Sequence, residues 1–193
     1  MALGACPDNV ATPDDEVSEL QRIAQQDEQT FETLYLRYHP KLYRFVQGLL
    51  KNPSQVEEVV SDTLYAVWTG AGKFQNQSKV STWIFGTAFR IAMKAVRAGR
   101  RHTRFDNNSE DAGVLMDLNT SNDPAIGATL SEDVSNMVSA LNGISPEQKA
   151  VVELTALGWT SAEIGEIVGC PANTVKTRMF SARKKIRTIL DSI

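Results

Sequence analysis

A length of 193 residues allows one domain or two small ones, and 42% hydrophobic residues are enough for a packed core. Two cysteines, Cys6 and Cys170, exclude a disulfide framework, and no apolar run approaches transmembrane length. The net charge of −3 is small only because opposite blocks cancel: eight acids and one base in 1–32, six bases and no acid in 90–104, nine acids and one base in 105–153, then a basic tail.

Such alternation implies two basic footprints divided by an acidic connector, so an acidic balance does not exclude nucleic acid. The start, LGAC, is faintly like a lipoprotein box, but no basic or apolar region precedes Cys6. The chain therefore reads as soluble and cytoplasmic, with no membrane insertion.

Residues 1–12 read as a disordered N-terminus. Thr12-Pro13-Asp14-Asp15 opens a first helix, with Pro at its first helical position and Val17, Leu20, Ile23 and Ala24 on its apolar side. A second helix runs from about Asp27, with Phe31, Leu34, Tyr35 and Tyr38 inward. His39-Pro40 interrupts it, and a third runs from Lys41 through Leu42, Phe45, Val46, Leu49 and Leu50. Asn52-Pro53-Ser54-Gln55 is a capping box for a fourth helix, which ends near Trp68. On that helix Glu58, Ser61, Asp62 and Tyr65 share one face, and Val56, Val60, Leu64 and Val67 the other. Gly70, Gly72 and 75–78 form a loop. A fifth helix spans about Ser81–Arg100, with Trp83, Ile84, Phe85 and Phe89 near its start and bases at its end; aromatics beside a basic run suit single-stranded nucleic acid.

Residues 105–130 are polar, acidic and without period, and read as a flexible linker. Helices return at about 131–141 and, behind the capping box Ser145-Pro146-Glu147-Gln148, at 146–157. In the last third, Thr160 and Glu163 have capping-box spacing. Gly169 supplies a left-handed stop, and Val175, Met179, Ala182, Ile186 and Leu190 repeat at three- and four-residue steps. Six Lys/Arg and no acid lie between Asn173 and Arg187. Two short helices across a Gly-containing turn, the second basic, form the helix-turn-helix signature. The fold class is thus all-α: two small helical domains, 13–104 and 131–193, joined by the linker.

No catalytic constellation is present: no glycine-rich phosphate loop, no nucleophile elbow, no H-E-x-x-H. His39 and His102 lack Cys or carboxylate partners at metal-ligand spacing. The chain is not read as an enzyme, and no cofactor is implied.

Four ordered blocks, FETLYLRYHPKLYRFV, NPSQVEEVVSDTLYAVW, STWIFGTAFRIAMKAV and LTALGWTSAEIGEIVGCPANTVKTRMFSARKKIR, resemble bacterial RNA polymerase sigma factors of the extracytoplasmic-function class of the sigma-70 family. The resemblance implies a promoter-specificity subunit that binds core RNA polymerase, through the largest subunit's clamp helices and the flap, and promoter DNA. Region 2 would occupy 13–104 and region 4 would occupy 131–193. Glu57, Glu58, Ser61, Asp62 and Tyr65 would face the clamp helices. Phe74, Gln75, Asn76, Lys79 and Trp83 would open the −10 element, with Arg90 on the same helix and Lys94, Arg97, Arg100 and Arg101 along phosphates. Thr174, Lys176, Thr177, Arg178 and Phe180 would meet the −35 major groove, and Arg183 and Lys184 the backbone.

Three departures from the family pattern stand out. Gly86 replaces a usual Arg and Arg90 an Asn that is often found, so the −10 preference is open. Ser181 replaces a usual base. The polymerase-facing helix reads Q-V-E-E-V-V-S-D-T where the family reads close to D-A-E-D-L-V-Q-E-T, so its acidic patch is thin. Phosphorylation of Thr63 or Ser61 would restore the missing charge. A Ser/Thr kinase and an anti-sigma factor are the two regulators left open. The competing reading is a stand-alone helix-turn-helix regulator that acts without core polymerase.

Overall fold

The structure, a computed structural model, describes residues 13–106 and 143–190. The expected disordered start, most of the linker and the helix expected at 131–141 lie outside the described residues. Seven helices and one 3-10 turn make up the described residues, and no strand occurs among them. These are α1 (Pro13–Ala24), α2 (Glu28–Gln47), α3 (Pro53–Gly70), a 3-10 turn (Ala71–Lys73), α4 (Val80–Asp106), α5 (Pro146–Ala156), α6 (Ser161–Val168) and α7 (Ala172–Leu190).

Local chemistry starts most of them. Asp27 caps α2, accepting from the Thr30 backbone N–H at 3.0 Å and the Thr30 hydroxyl at 2.6 Å. These two bonds lower the Asp27 pKa, with the hydroxyl bond the larger cause. Asn52 caps α3 through a single bond from the Ser54 N–H at 2.9 Å. Full capping boxes form at Ser145/Gln148 and at Thr160/Glu163. Gly169 ends α6 at φ 69°, ψ 43°, in the left-handed conformation expected of it.

One expected break is absent. Pro40 lies inside α2, which runs on without interruption. An interior proline disfavours a helix by about 3 kcal/mol relative to alanine. Leu34, Tyr38, Leu42, Phe45 and Val46 form one buried stripe through it, and burying each large apolar side chain stabilises by about 1.5–3 kcal/mol. A few such residues outweigh the proline, which sits on the exposed side where a helix bends most easily.

The N-terminal group packs α3 between α2 and α4, with α1 laid across α2 and the 3-10 turn. The Tyr38 hydroxyl donates to Glu16 at 2.6 Å, and Arg37 pairs with Glu19 at 2.7 Å, fastening α1 to α2. Burial, then the Glu16 bond, raise the Tyr38 pKa far above its usual value. In the C-terminal group α5 packs on α7 and α6 on both. The two groups also pack on each other: α6 lies along α4, and α5 touches α2 and α4. One apolar cluster runs through both, from Leu20, Leu42 and Ile84 to Leu154, Ile164 and Ile167. Phe85 joins the halves, its ring 5.5 Å from Phe45 on one side and 5.0 Å from Trp159 on the other.

Candidate nucleic-acid and partner interfaces

The first surface is the outer face of α3. Val56, Val59, Val60, Leu64 and Val67 bury the inner face. Glu57, Glu58, Ser61 and Asp62 are left exposed, and Tyr65 is 68% exposed. The expected partner-facing residues are therefore presented together on one rigid helix. The His39 ring, stacked with Tyr35 at 5.1 Å, borders the patch with Nε2 at 3.7 Å from Glu57.

The two hydroxyls here differ sharply. Ser61 is exposed, whereas Thr63 is 0% exposed and its hydroxyl donates to the Val59 carbonyl at 2.7 Å. A helical wheel puts Ser61 on the exposed face and Thr63 nearer the side of α3; in the structure Thr63 points into the core. At 100° per residue it lies about 140° from Glu58, under the packed neighbours.

The second surface begins in the loop before α4 and continues along that helix. Phe74 is half-buried against Trp83, ring centroids 5.3 Å apart. Gln75 and Asn76 are exposed, and Asn76 adopts a left-handed φ of 53°, which asparagine tolerates better than most residues. Within α4, residues 83, 86, 90, 94, 97 and 101 follow steps of three and four and fall on one face. Trp83, Arg90, Lys94 and Arg97 thus form one stripe, and Arg100 and Arg101 lie in the closing turns of the helix. The helix runs past the expected end at Arg100 to Asp106, so the whole basic block is helical. Arg90 donates to the Thr87 hydroxyl at 2.9 Å and is otherwise exposed.

Two members of this stretch are engaged by the other half of the molecule. Lys79 Nζ lies 2.6 Å from Glu163 Oε1, and Gly86 is buried under α6. Glu163 also accepts from the Thr160 N–H at 3.0 Å, so one carboxylate serves the helix cap and the ion pair. The Lys79 bond is the leading cause that holds its carboxyl down at about 2, followed by the Thr160 bonds.

The third surface is α7. Val175 and Ala182 anchor it, with Met179 partly buried beside them. Lys176, Thr177, Arg183 and Lys184 are exposed, and Phe180 is 71% exposed. Thr174 is half-buried. Arg178 separates from this group: it is half-buried, its guanidinium reaching Cys170 Sγ at 3.7 Å, on the flank facing the turn. Gly165 makes that turn possible, since a Cβ there would lie 2.6 Å from the Cys170 carbonyl oxygen.

Among the described residues no cluster of His, Cys, Asp or Glu could hold a metal, and no helix is long and apolar enough to cross a membrane.

Sigma-70 region 2 matches residues 34–102, and Sigma-70, region 4 matches residues 136–186. The ECF RNA polymerase sigma-E factor of Haemophilus influenzae is 28% identical over 178 residues, covering 86% of this chain and 90% of that one. The RNA polymerase sigma factor CarQ of Myxococcus xanthus is 21% identical over 175 residues, covering 90% and 97%. Among solved structures, the sigma factor RpoE of Bartonella quintana, in complex with the anti-sigma factor NepR, superposes with a TM-score of 0.64 at 25% identity, covering 83% of this chain and 96% of that one. CnrH, in complex with the cytosolic domain of CnrY, shares the fold with a TM-score of 0.67 at 20% identity, covering 91% and 97%. With region 2 matched on the helices that carry the α3 face and the α4 stripe, and region 4 on the helix-turn-helix, the chain belongs to the sigma-70 family as a sigma factor of the extracytoplasmic-function class.

Proposed function

We propose that this chain is a promoter-specificity subunit that binds core RNA polymerase and directs initiation at promoters with −35 and −10 elements. The observation that carries the reading is the division of labour among three outward surfaces. A thin acidic face on α3 suits a basic protein partner, the aromatic-and-basic stripe of α4 suits melted DNA, and the basic face of α7 suits a duplex groove. Each binds and none does chemistry, so the chain acts by positioning the polymerase, in the cytoplasm where its template lies. Glu57, Glu58, Ser61, Asp62 and Tyr65 contact the polymerase clamp. Phe74, Gln75, Asn76, Lys79, Trp83, Arg90, Lys94, Arg97, Arg100 and Arg101 serve the −10 element. Lys176, Thr177, Phe180, Arg183 and Lys184 serve the −35 element, with Thr174 and Arg178 at its edge.

The thin acidic face gives low basal affinity for polymerase, and added charge on Ser61 or Thr63 raises it. Ser61 is the hydroxyl open to a kinase in this conformation; Thr63 becomes a substrate only once α3 lifts from its neighbours. RpoE and CnrH were both solved with partners, RpoE with an anti-sigma factor, and a partner of that kind is the second route to control of this chain. Run-off transcription with core polymerase tests the central reading. Promoter-dependent transcripts support it, whereas duplex binding without any transcript favours a stand-alone helix-turn-helix regulator.

A further inference from the structure

Arg90 is the member of the α4 stripe whose guanidinium is tethered to its own helix. Its Nη2 donates to the Thr87 hydroxyl at 2.9 Å, and that hydroxyl donates in turn to the Trp83 carbonyl at 2.9 Å. Thr87 is buried, so the guanidinium is drawn back along α4 toward the N-terminus, the direction in which helical side chains already lean. Gly86, one turn before Arg90, leaves room for this. Nη1 lies 3.9 Å from the position that a Cβ on Gly86 would take, which is ordinary van der Waals contact. A long side chain at 86 would compete for the same space. Gly86 and Arg90, the two departures in this helix, are therefore linked in space: the glycine leaves a seat and the arginine folds back over it.

The tether decides what the guanidinium can still bind. Arginine has five N–H donors and no acceptor. One Nη2 proton is engaged by Thr87, and Arg90 is exposed, so the rest of the fork faces outward. Its partner must offer adjacent acceptors. On the base edge that stays open in paired and unpaired DNA alike, guanine does so through O6 and N7, whereas adenine sets a donor beside its N7 and cytosine and thymine have no N7. Phosphate offers acceptors too, but position favours a base. The folded-back guanidinium lies one turn from Trp83, whose half-buried ring, packed against Phe74, suits an unstacked base. Fixing the fork in one orientation also suits base reading, which needs a held geometry.

We infer that Arg90 sets the base preference of the −10 element by selecting guanine at one position, with Thr87 as its positioning residue and Gly86 as its seat. The inference rests on the promoter-binding reading and names the base that this part of the site takes.

Run-off transcription by core polymerase with the full chain tests it, on a duplex library randomised over the −10 region of one active promoter. The wild type should enrich guanine at one position by roughly five- to a hundred-fold, the range of a bidentate arginine–guanine pair. Arg90→Gln should lose that enrichment or turn it to adenine, which a glutamine amide matches. Thr87→Val keeps the shape without the hydroxyl, and should weaken the enrichment while polymerase binding stays at the wild-type level. Replacing the selected guanine by 7-deazaguanine removes only the N7 acceptor; it should lower wild-type transcription several-fold and leave Arg90→Gln unchanged. Transcripts without guanine enrichment overturn the inference and leave the promoter reading standing. So does the same enrichment in Arg90→Gln, or use of 7-deazaguanine by the wild type as readily as guanine. No promoter-dependent transcript from the wild type overturns the promoter reading, and this inference falls with it.

Discussion

Thr63 and Ser61 sit two residues apart and behave oppositely. A carboxylate at position 63 enters a site with no exposure, beside the Val59 backbone carbonyl, and an unpaired buried charge is strongly destabilising. Thr63→Glu is expected to lower the melting temperature steeply, and Ser61→Glu to change stability by less than about 0.5 kcal/mol, as at most surface sites. Polymerase binding should rise in Ser61→Glu. If wild type already binds as tightly as the acidic variants, the thin acidic face has no regulatory meaning. Gly165 is the other residue whose role is narrow. A methyl group there meets the Cys170 carbonyl, so Gly165→Ala should destabilise region 4 by about 1–3 kcal/mol, the usual range for overpacking, readable as a lower midpoint in urea. The sequence announced Gly169 through turn chemistry, yet was silent on Gly165, because its constraint comes from a carbonyl five residues on. The burial of Thr63 is hidden for a related reason: a wheel ranks positions around one helix, but only the neighbours decide how wide the buried arc is.

Elements were legible wherever local chemistry fixes them. Thr160, Glu163 and Gly169 marked α6 to the residue, and Ser145 with Gln148 marked the start of α5. Pro40 misled, because its local preference is overruled by a stripe of buried residues running through it. Replacing it checks that account: Pro40→Ala restores a backbone donor on the exposed side of α2. It is expected to raise stability, by at most the roughly 3 kcal/mol that separates proline from alanine in a helix. On α7 the exposed bases act as point charges on phosphate. Lys184→Ala should weaken duplex binding about equally for all sequences and reduce the slope of log affinity against log salt by about 1, measured by anisotropy titration. Arg178, tied to the turn at Cys170, should move that slope less.

For the whole molecule, charge blocks and family pattern together gave two helical units and a connector, but nothing in either gave the packing of one unit on the other. The contact is made of Gly86, Lys79, Glu153, Trp159 and Ile167, residues far apart in sequence. Its pH dependence follows from two carboxyls whose pKa shifts run in opposite directions. Glu163, facing Lys79 with Glu166 near that lysine, has a folded pKa lowered from 4.5 to about 2. Its contribution is present above about 4.5 and is lost as pH falls toward about 2. Glu153, packed over α2 with the Arg44 and Lys149 charges opposing, has a pKa raised by burial, so its strain grows as pH rises past 4.5. Acidification should therefore first relieve Glu153 and, well below 4, cost the Lys79–Glu163 pair together with the Thr160 cap, as measured by melting temperature across a pH series.

The central claim, promoter specificity conferred on polymerase, is tested most directly by run-off transcription of a genomic fragment pool with core polymerase plus this chain, with sequencing of the transcript starts. Discrete starts behind a shared pair of upstream elements are predicted, and they should vanish when Lys176, Arg183 and Lys184 are replaced together by alanine. Binding of the chain to duplex DNA with no polymerase-dependent start anywhere in the pool would contradict it.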